Sequence, residues 1–221
     1  MTLDHLTEQL DRAVASKKLL DHPFYEAWAA GTLTRDDLAF YSGQYWRQVE
    51  AFPGYLSQLS THFGGETRST LEENLADELD GDHPGLWLRF AEALGMSAAA
   101  VTDSTPEPET RRCVGSFVAA PTRSPLFALG MLYGYESQTP DVARTKVTGL
   151  RDHYEIDGPP VEYFELHGEL DVEHAGALAG AIHREAKTDE DIHEAEAGAR
   201  AGAEAVWTLL DGVARVRGIG S

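Results

Sequence analysis

His167, Asp171 and His174 stand at i, i+4 and i+7 in the segment that follows Pro159. At 3.6 residues per turn these positions share one narrow face of an α-helix. Two imidazoles and a carboxylate on one face make a half-site for a transition metal, built from nitrogen and oxygen. A dinuclear site needs more donors than one helix face offers, so carboxylates and a further histidine are expected from other helices packed against it.

The rest of the chain carries the periodicity of a helical bundle. Leu3, Leu6, Leu10 and Ala13 mark a first amphipathic helix that runs on toward Lys17. A short aromatic helix over 22–28 stops at Gly31. Thr34 caps a long helix through Tyr41, Tyr45, Trp46 and Val49, which Pro53 is expected to kink. Further helices are predicted over 67–80, broken by Gly81, and over 84–95, with Pro84 near the start and Gly95 at the end. Others run from Pro106 through Phe117, from Ser124 through Glu136, over 141–153, through His167 after Gly158-Pro-Pro, and over 189–217. No stretch sustains period-two alternation and no Asn-Gly hairpin signal occurs. The expected fold class is all-α, a single domain over 1–221 of seven to nine helices with short connections and no internal repeat.

Eighteen Lys and Arg against 37 Asp and Glu give a formal charge of −19. Such a surface repels phosphate backbones and argues against a nucleic-acid partner. No run approaches the ~18 apolar residues of a membrane span, and the start Met1-Thr-Leu-Asp-His is too polar for a secretion signal. A cytoplasmic protein with no membrane partner is expected. Cys113 is the one cysteine, so no intramolecular disulfide and no thiolate cluster can form.

Glu78 and His83 are one candidate pair of additional donors. On an unbroken helix they would diverge, but a break at Gly81 lets His83 fold back over the helix end. Glu136 is another candidate, a carboxylate in the apolar stretch Leu132-Tyr-Gly-Tyr-Glu136. Its inward charge requires either a metal or an arginine to offset it. Glu190-Asp-Ile-His193 has the spacing of a ferritin-like di-iron element, but it stands alone at the acidic start of the last helix and reads as surface.

Taken together, Leu19-Leu-Asp-His-Pro-Phe-Tyr25, Asn74-Leu-Ala-Asp-Glu78, Tyr135-Glu136-Ser-Gln and His167-x3-Asp171-x2-His174 resemble the haem-oxygenase-like dimetal oxidases of the TenA/PqqC-like superfamily. The similarity runs over nearly the whole chain, in the branch of the chlamydial protein associating with death domains and its bacterial relatives. The cysteine-rich tail of the chlamydial protein has no counterpart here, and no death-domain partner is expected.

The resemblance implies a haem-oxygenase-like helical bundle with six metal ligands, carried over as Glu78, His83, Glu136, His167, Asp171 and His174. It implies two iron ions, or one manganese and one iron, with O2 and an external reductant as co-substrates, and a homodimer. In this branch the protein is its own substrate: a tyrosine ring is cut from the backbone and converted to p-aminobenzoate for folate synthesis, with nitrogen from a lysine of the same chain. The matching tyrosine is Tyr25 and the matching lysine is Lys146, one of only four lysines. Tyr41, Tyr135 and Tyr163 match further aromatic positions near that site. Two alternatives stay open. The same metal ligands would serve a dimetal oxidase acting on a free amino acid or fatty acid, with Arg47 or Arg144 to bind its carboxylate. A metal-free TenA-like hydrolase of thiamin compounds would need Cys113 as nucleophile.

Overall fold

A computed structural model describes residues 1–220. The chain forms α1 (Leu3–Val14), α2 (Pro23–Ala29), α3 (Arg35–Ser60), α4 (Gly65–Asp80), α5 (His83–Ala93), α6 (Ala98–Thr102), α7 (Pro108–Arg123), α8 (Pro125–Glu136), α9 (Thr139–Tyr154), α10 (Glu162–Glu185) and α11 (Asp189–Arg217). Apart from α2 and α6, of 7 and 5 residues, these are nine substantial helices. No strand occurs among the described residues, so the fold is all-α as expected. No helix among them is long and apolar enough to cross a membrane.

Local chemistry sets the helix ends. Thr34 caps α3 through a reciprocal box, its hydroxyl accepting from Asp37 N while the Asp37 carboxylate accepts from Thr34 N. Thr188 and Asp191 repeat the arrangement at α11. Ser124 accepts from Phe127 N, with Pro125 in the first turn of α8. α1 ends at Val14 and tightens into a 3-10 turn over Ala15–Lys17. α3 continues past Pro53 to Ser60.

The turn between α4 and α5 works differently from the expectation. Gly81 is right-handed, and the reversal is made by Asp82 at φ 49°, whose carboxylate accepts from Gly85 N. Gly81 is needed for space: a Cβ there would lie 2.6 Å from His83 Nε2 and 2.8 Å from Asp77 O. The bare glycine lets the His83 ring settle against the end of α4.

The core is organised around α8, whose residues from Phe127 to Glu136 are all buried. Its closest neighbour is α11. A Cβ on Gly134 would stand 2.0 Å from Ala199 O, and one on Gly198 would stand 2.0 Å from Phe127 O. The two backbones therefore touch, which only glycine permits. This crossing carries Glu136, the last residue of α8, into the interior, where α3, α4 and α10 enclose it.

Candidate metal centre

Four helices deliver the expected donors to one buried region. Glu78 comes from the last turn of α4, His83 from the first residue of α5, Glu136 from the end of α8, and His167, Asp171 and His174 from one face of α10. All six are buried. Ligand atoms of Glu78, His83 and His167 lie within 4.8 Å of one another. Glu78, Glu136, His167 and Asp171 line a closed cavity of ≈ 10 Å³, about the room one water or ion needs.

Hydrogen bonds aim the imidazoles. His167 Nδ1 is 2.6 Å from the Tyr163 carbonyl, which can only accept, so Nδ1 donates there and Nε2 faces Glu78 Oε1 at 3.9 Å. His174 Nε2 is 3.1 Å from the Asp77 carboxylate, which leaves Nδ1 toward Asp171 at 3.5 Å. His83 Nδ1 lies 2.8 Å from Glu78 Oε2, yet neither ring nitrogen of this buried histidine has a hydrogen bond of proper geometry. Asn74 donates to both Glu136 oxygens, at 3.1 and 3.3 Å.

The electrostatics fit a cation. Burial, with the nearby Asp171 charge, pushes the Glu136 carboxyl well above the carboxylate range, against the opposing pull of His174 and Asn74. Burial would lower His174, but contact with Asp171, Glu136 and Asp77 outweighs it and holds the group at about 9. Three buried carboxylates with the buried imidazoles of His83, His167 and His174 form an N/O donor set that suits iron or manganese.

A second buried cluster adjoins this one. Lys146, on α9, is 3% exposed, and its Nζ is 2.6 Å from Tyr41 Oη. Tyr41 Oη is 3.5 Å from Tyr25 Oη. Burial lowers the Lys146 amine to about 7 and pushes the Tyr25 and Tyr41 phenols well above their ordinary value. Tyr25, Lys146, Tyr135, Tyr163 and His167 line a further closed cavity of ≈ 10 Å³. Tyr135, Tyr163 and His167 line both cavities, so the two clusters share a wall.

All eleven expected site residues thus fall in one continuous interior region. Sequence reasoning missed four contributors. Tyr45 Oη pairs with Tyr135 Oη at 2.8 Å, and Trp87 stacks on the Tyr45 ring at 5.0 Å. Asn74 and Asp77 hold Glu136 and His174 in place. The signal for Asn74 was its position four residues before Glu78, on the same helix face. His193 and its Glu-x-x-His element are on the surface, with 75% of the His193 side chain exposed.

Comparison with known proteins agrees with this architecture. The family described as iron-containing redox enzymes matches residues 39–207. A 4-aminobenzoate synthase of Nitrosomonas europaea is 37% identical over 227 residues, covering 96% of this chain and 92% of that one. A 4-aminobenzoate synthase of Chlamydia muridarum is 36% identical, covering 83% of this chain and 80% of its own. Among solved structures, a CADD-like protein of unknown function from Nostoc punctiforme superposes with a TM-score of 0.81 at 19% identity, over 97% of this chain and 98% of that one. A TenA homologue from Pseudomonas syringae superposes with a TM-score of 0.80 at 15% identity, over 96% and 92% of the two chains. The protein belongs to the haem-oxygenase-like family of iron-containing redox enzymes.

Proposed function

We propose that the protein is an oxygen-dependent dimetal oxidase that makes p-aminobenzoate for folate synthesis from its own Tyr25, with Lys146 as amino donor. The observation that carries this reading is the sealed run Lys146, Tyr41, Tyr25, with contacts of 2.6 and 3.5 Å, in the wall next to the candidate ligands. The adjoining cavity of ≈ 10 Å³ has no room for a free amino acid or fatty acid. The names of the Nitrosomonas and Chlamydia relatives point to the same product.

Glu78, His83 and His167 would hold one metal ion, with Glu136, Asp171 and His174 supplying donors for a second, as iron with iron or manganese with iron. Bound there, the ions would supply the electron-accepting chemistry, drawn from O2 and an external reductant, that oxidation of a phenol requires. The chain's own residues do the rest. Tyr41 Oη stands between the Tyr25 phenol and the Lys146 amine and can pass a proton between them. At about 7, Lys146 supplies a neutral amine near neutral pH, its nitrogen held 5.3 Å from the centre of the Tyr25 ring. Tyr135 and Tyr163 pack in the shared wall and exclude water that would compete as nucleophile.

The alternatives find less support. Arg47 is committed to Glu50, Thr102 O and Ser104 O, and Arg144 to Asp141 and Gly168 O, so neither is free for a substrate carboxylate. Cys113 is fully buried and burial pushes its thiol far up, the opposite of an activated nucleophile. The test is to load the protein with iron, with and without manganese, and expose it to O2 and reductant with no added substrate. Release of p-aminobenzoate together with an altered Tyr25 peptide supports the reading. Two bound metals with neither product overturns it and shifts the search to free substrates.

A further inference from the structure

An aromatic acid formed in the closed cavity beside Tyr25 must leave it, and one wall is thin. Leu19 and Val142 line that inner cavity, and Val142 also lines a second, more open cavity of ≈ 280 Å³ bounded by Lys18, Leu20 and Gln138. The partition is a single 3-10 turn, Leu19–Asp21, tied by the Leu19 N–H donating to Gln138 Oε1 at 2.7 Å. Val14, Ala15, Leu20 and Val142 give the outer lining an apolar side. Of its charged groups, Asp11 already accepts from Tyr133 Oη at 2.6 Å and Asp141 pairs with Arg144 at 2.7 Å. Lys18 is the one cation of the lining, exposed and with no ion-pair partner among the described residues.

We propose that this outer cavity binds a small aromatic carboxylate and is the exit site of the product, with the ring against Leu20 and Val142, the carboxylate on Lys18 and Leu19 as the gate. The proposal rests on the self-substrate reading above for its meaning, but its test needs no turnover. The metal-free full chain is titrated with p-aminobenzoate and, separately, with uncharged p-aminobenzamide, and backbone amide shifts are read by NMR. The acid is expected to shift the amides of Lys18, Leu20, Gln138 and Val142 and to bind about five-fold more tightly than the amide. Lys18→Met, at an exposed position, should remove that difference. Equal binding of acid and amide, shifts centred elsewhere, or no binding at millimolar ligand overturns the site. For the gate, Gln138→Leu removes the acceptor and should raise hydrogen exchange at the Leu19 amide about ten-fold or more; unchanged exchange overturns it. A metal-loaded protein that yields the acid while nothing binds at Lys18 removes the exit site alone. Binding at Lys18 by a protein that yields no acid upholds the site and removes the self-substrate reading.

Discussion

Lys146 Nζ on α9 meets Tyr41 Oη on α3 at 2.6 Å, a contact between residues 105 apart in the chain. The rings of Tyr25, Trp28, Tyr41, Tyr45, Trp87 and Phe164 surround the same nitrogen, with centroids 5.0 to 5.9 Å away. Ring faces favour a cation by about 0.5–2 kcal/mol each at best. Complete loss of water acts in the opposite direction and wins, which is why the amine falls to about 7. The cage therefore holds a reactive neutral amine against a phenol, an arrangement suited to nitrogen transfer.

This burial has a stability signature. Between pH of about 7 and about 10.4, the unfolded chain keeps a proton on Lys146 that the folded chain has released. More protons bound in the unfolded state means that the Lys146 contribution to stability rises with pH across this window, at roughly 1.4 kcal/mol per unit, while His174, held at about 9, contributes the opposite slope up to that pH. Below about 7 both states are protonated and the destabilisation is complete. Lys146→Met should be more stable than the natural protein at neutral pH, and the difference between the two should shrink as pH rises toward about 10, as read by urea unfolding at a series of pH values. Above about pH 10 the buried tyrosines reverse the trend in both proteins, because unfolding releases their protons.

Tyr25→Phe removes one hydroxyl and keeps the ring packed against Phe24 and Lys146. Metal content should be unchanged and p-aminobenzoate should vanish. Elemental analysis and mass spectrometry on the same sample check both; loss of metal would contradict the assignment of Tyr25 as substrate rather than ligand.

Gly81→Ala places a methyl group 2.6 Å from His83 Nε2 and 2.8 Å from a backbone oxygen. The imidazole must swing away from Glu78. Iron affinity should fall by about 10-fold or more, with helix content retained by circular dichroism.

Asn74→Leu takes away both donors to Glu136 without changing the side-chain bulk greatly. Metal affinity is expected to drop by roughly 10–100-fold, measured by competition with a chelator. A variant that keeps full affinity would show that Glu136 is oriented by other means.

The helices and the His167 face were legible because both rest on spacing alone: His167, Asp171 and His174 share a face wherever α10 forms. Glu136 was legible as a carboxylate trapped in an apolar run. The contact of His83 with Glu78 follows from a helix break near Gly81, but its cause is not local to the glycine, since the reversal is made by the left-handed Asp82 while Gly81 only leaves room for the ring. Tyr45 and Asp77 escaped notice because their roles come from tertiary packing: a tyrosine four residues after Tyr41 reads as core, and an exposed aspartate reads as solvated. The cage around Lys146 draws rings from α2, α3, α5 and α10, which no local pattern brings together.

The most direct test of the central claim is the isotopic origin of the product. Protein made with ring-13C tyrosine and ε-15N lysine is freed of small molecules, loaded with iron or with manganese and iron, and given O2 and reductant in unlabelled buffer. p-Aminobenzoate carrying both labels is expected, with Tyr25 and Lys146 the altered residues in the digested chain. Unlabelled acid, or metal-loaded protein whose Tyr25 and Lys146 stay intact and which yields none, would contradict that claim.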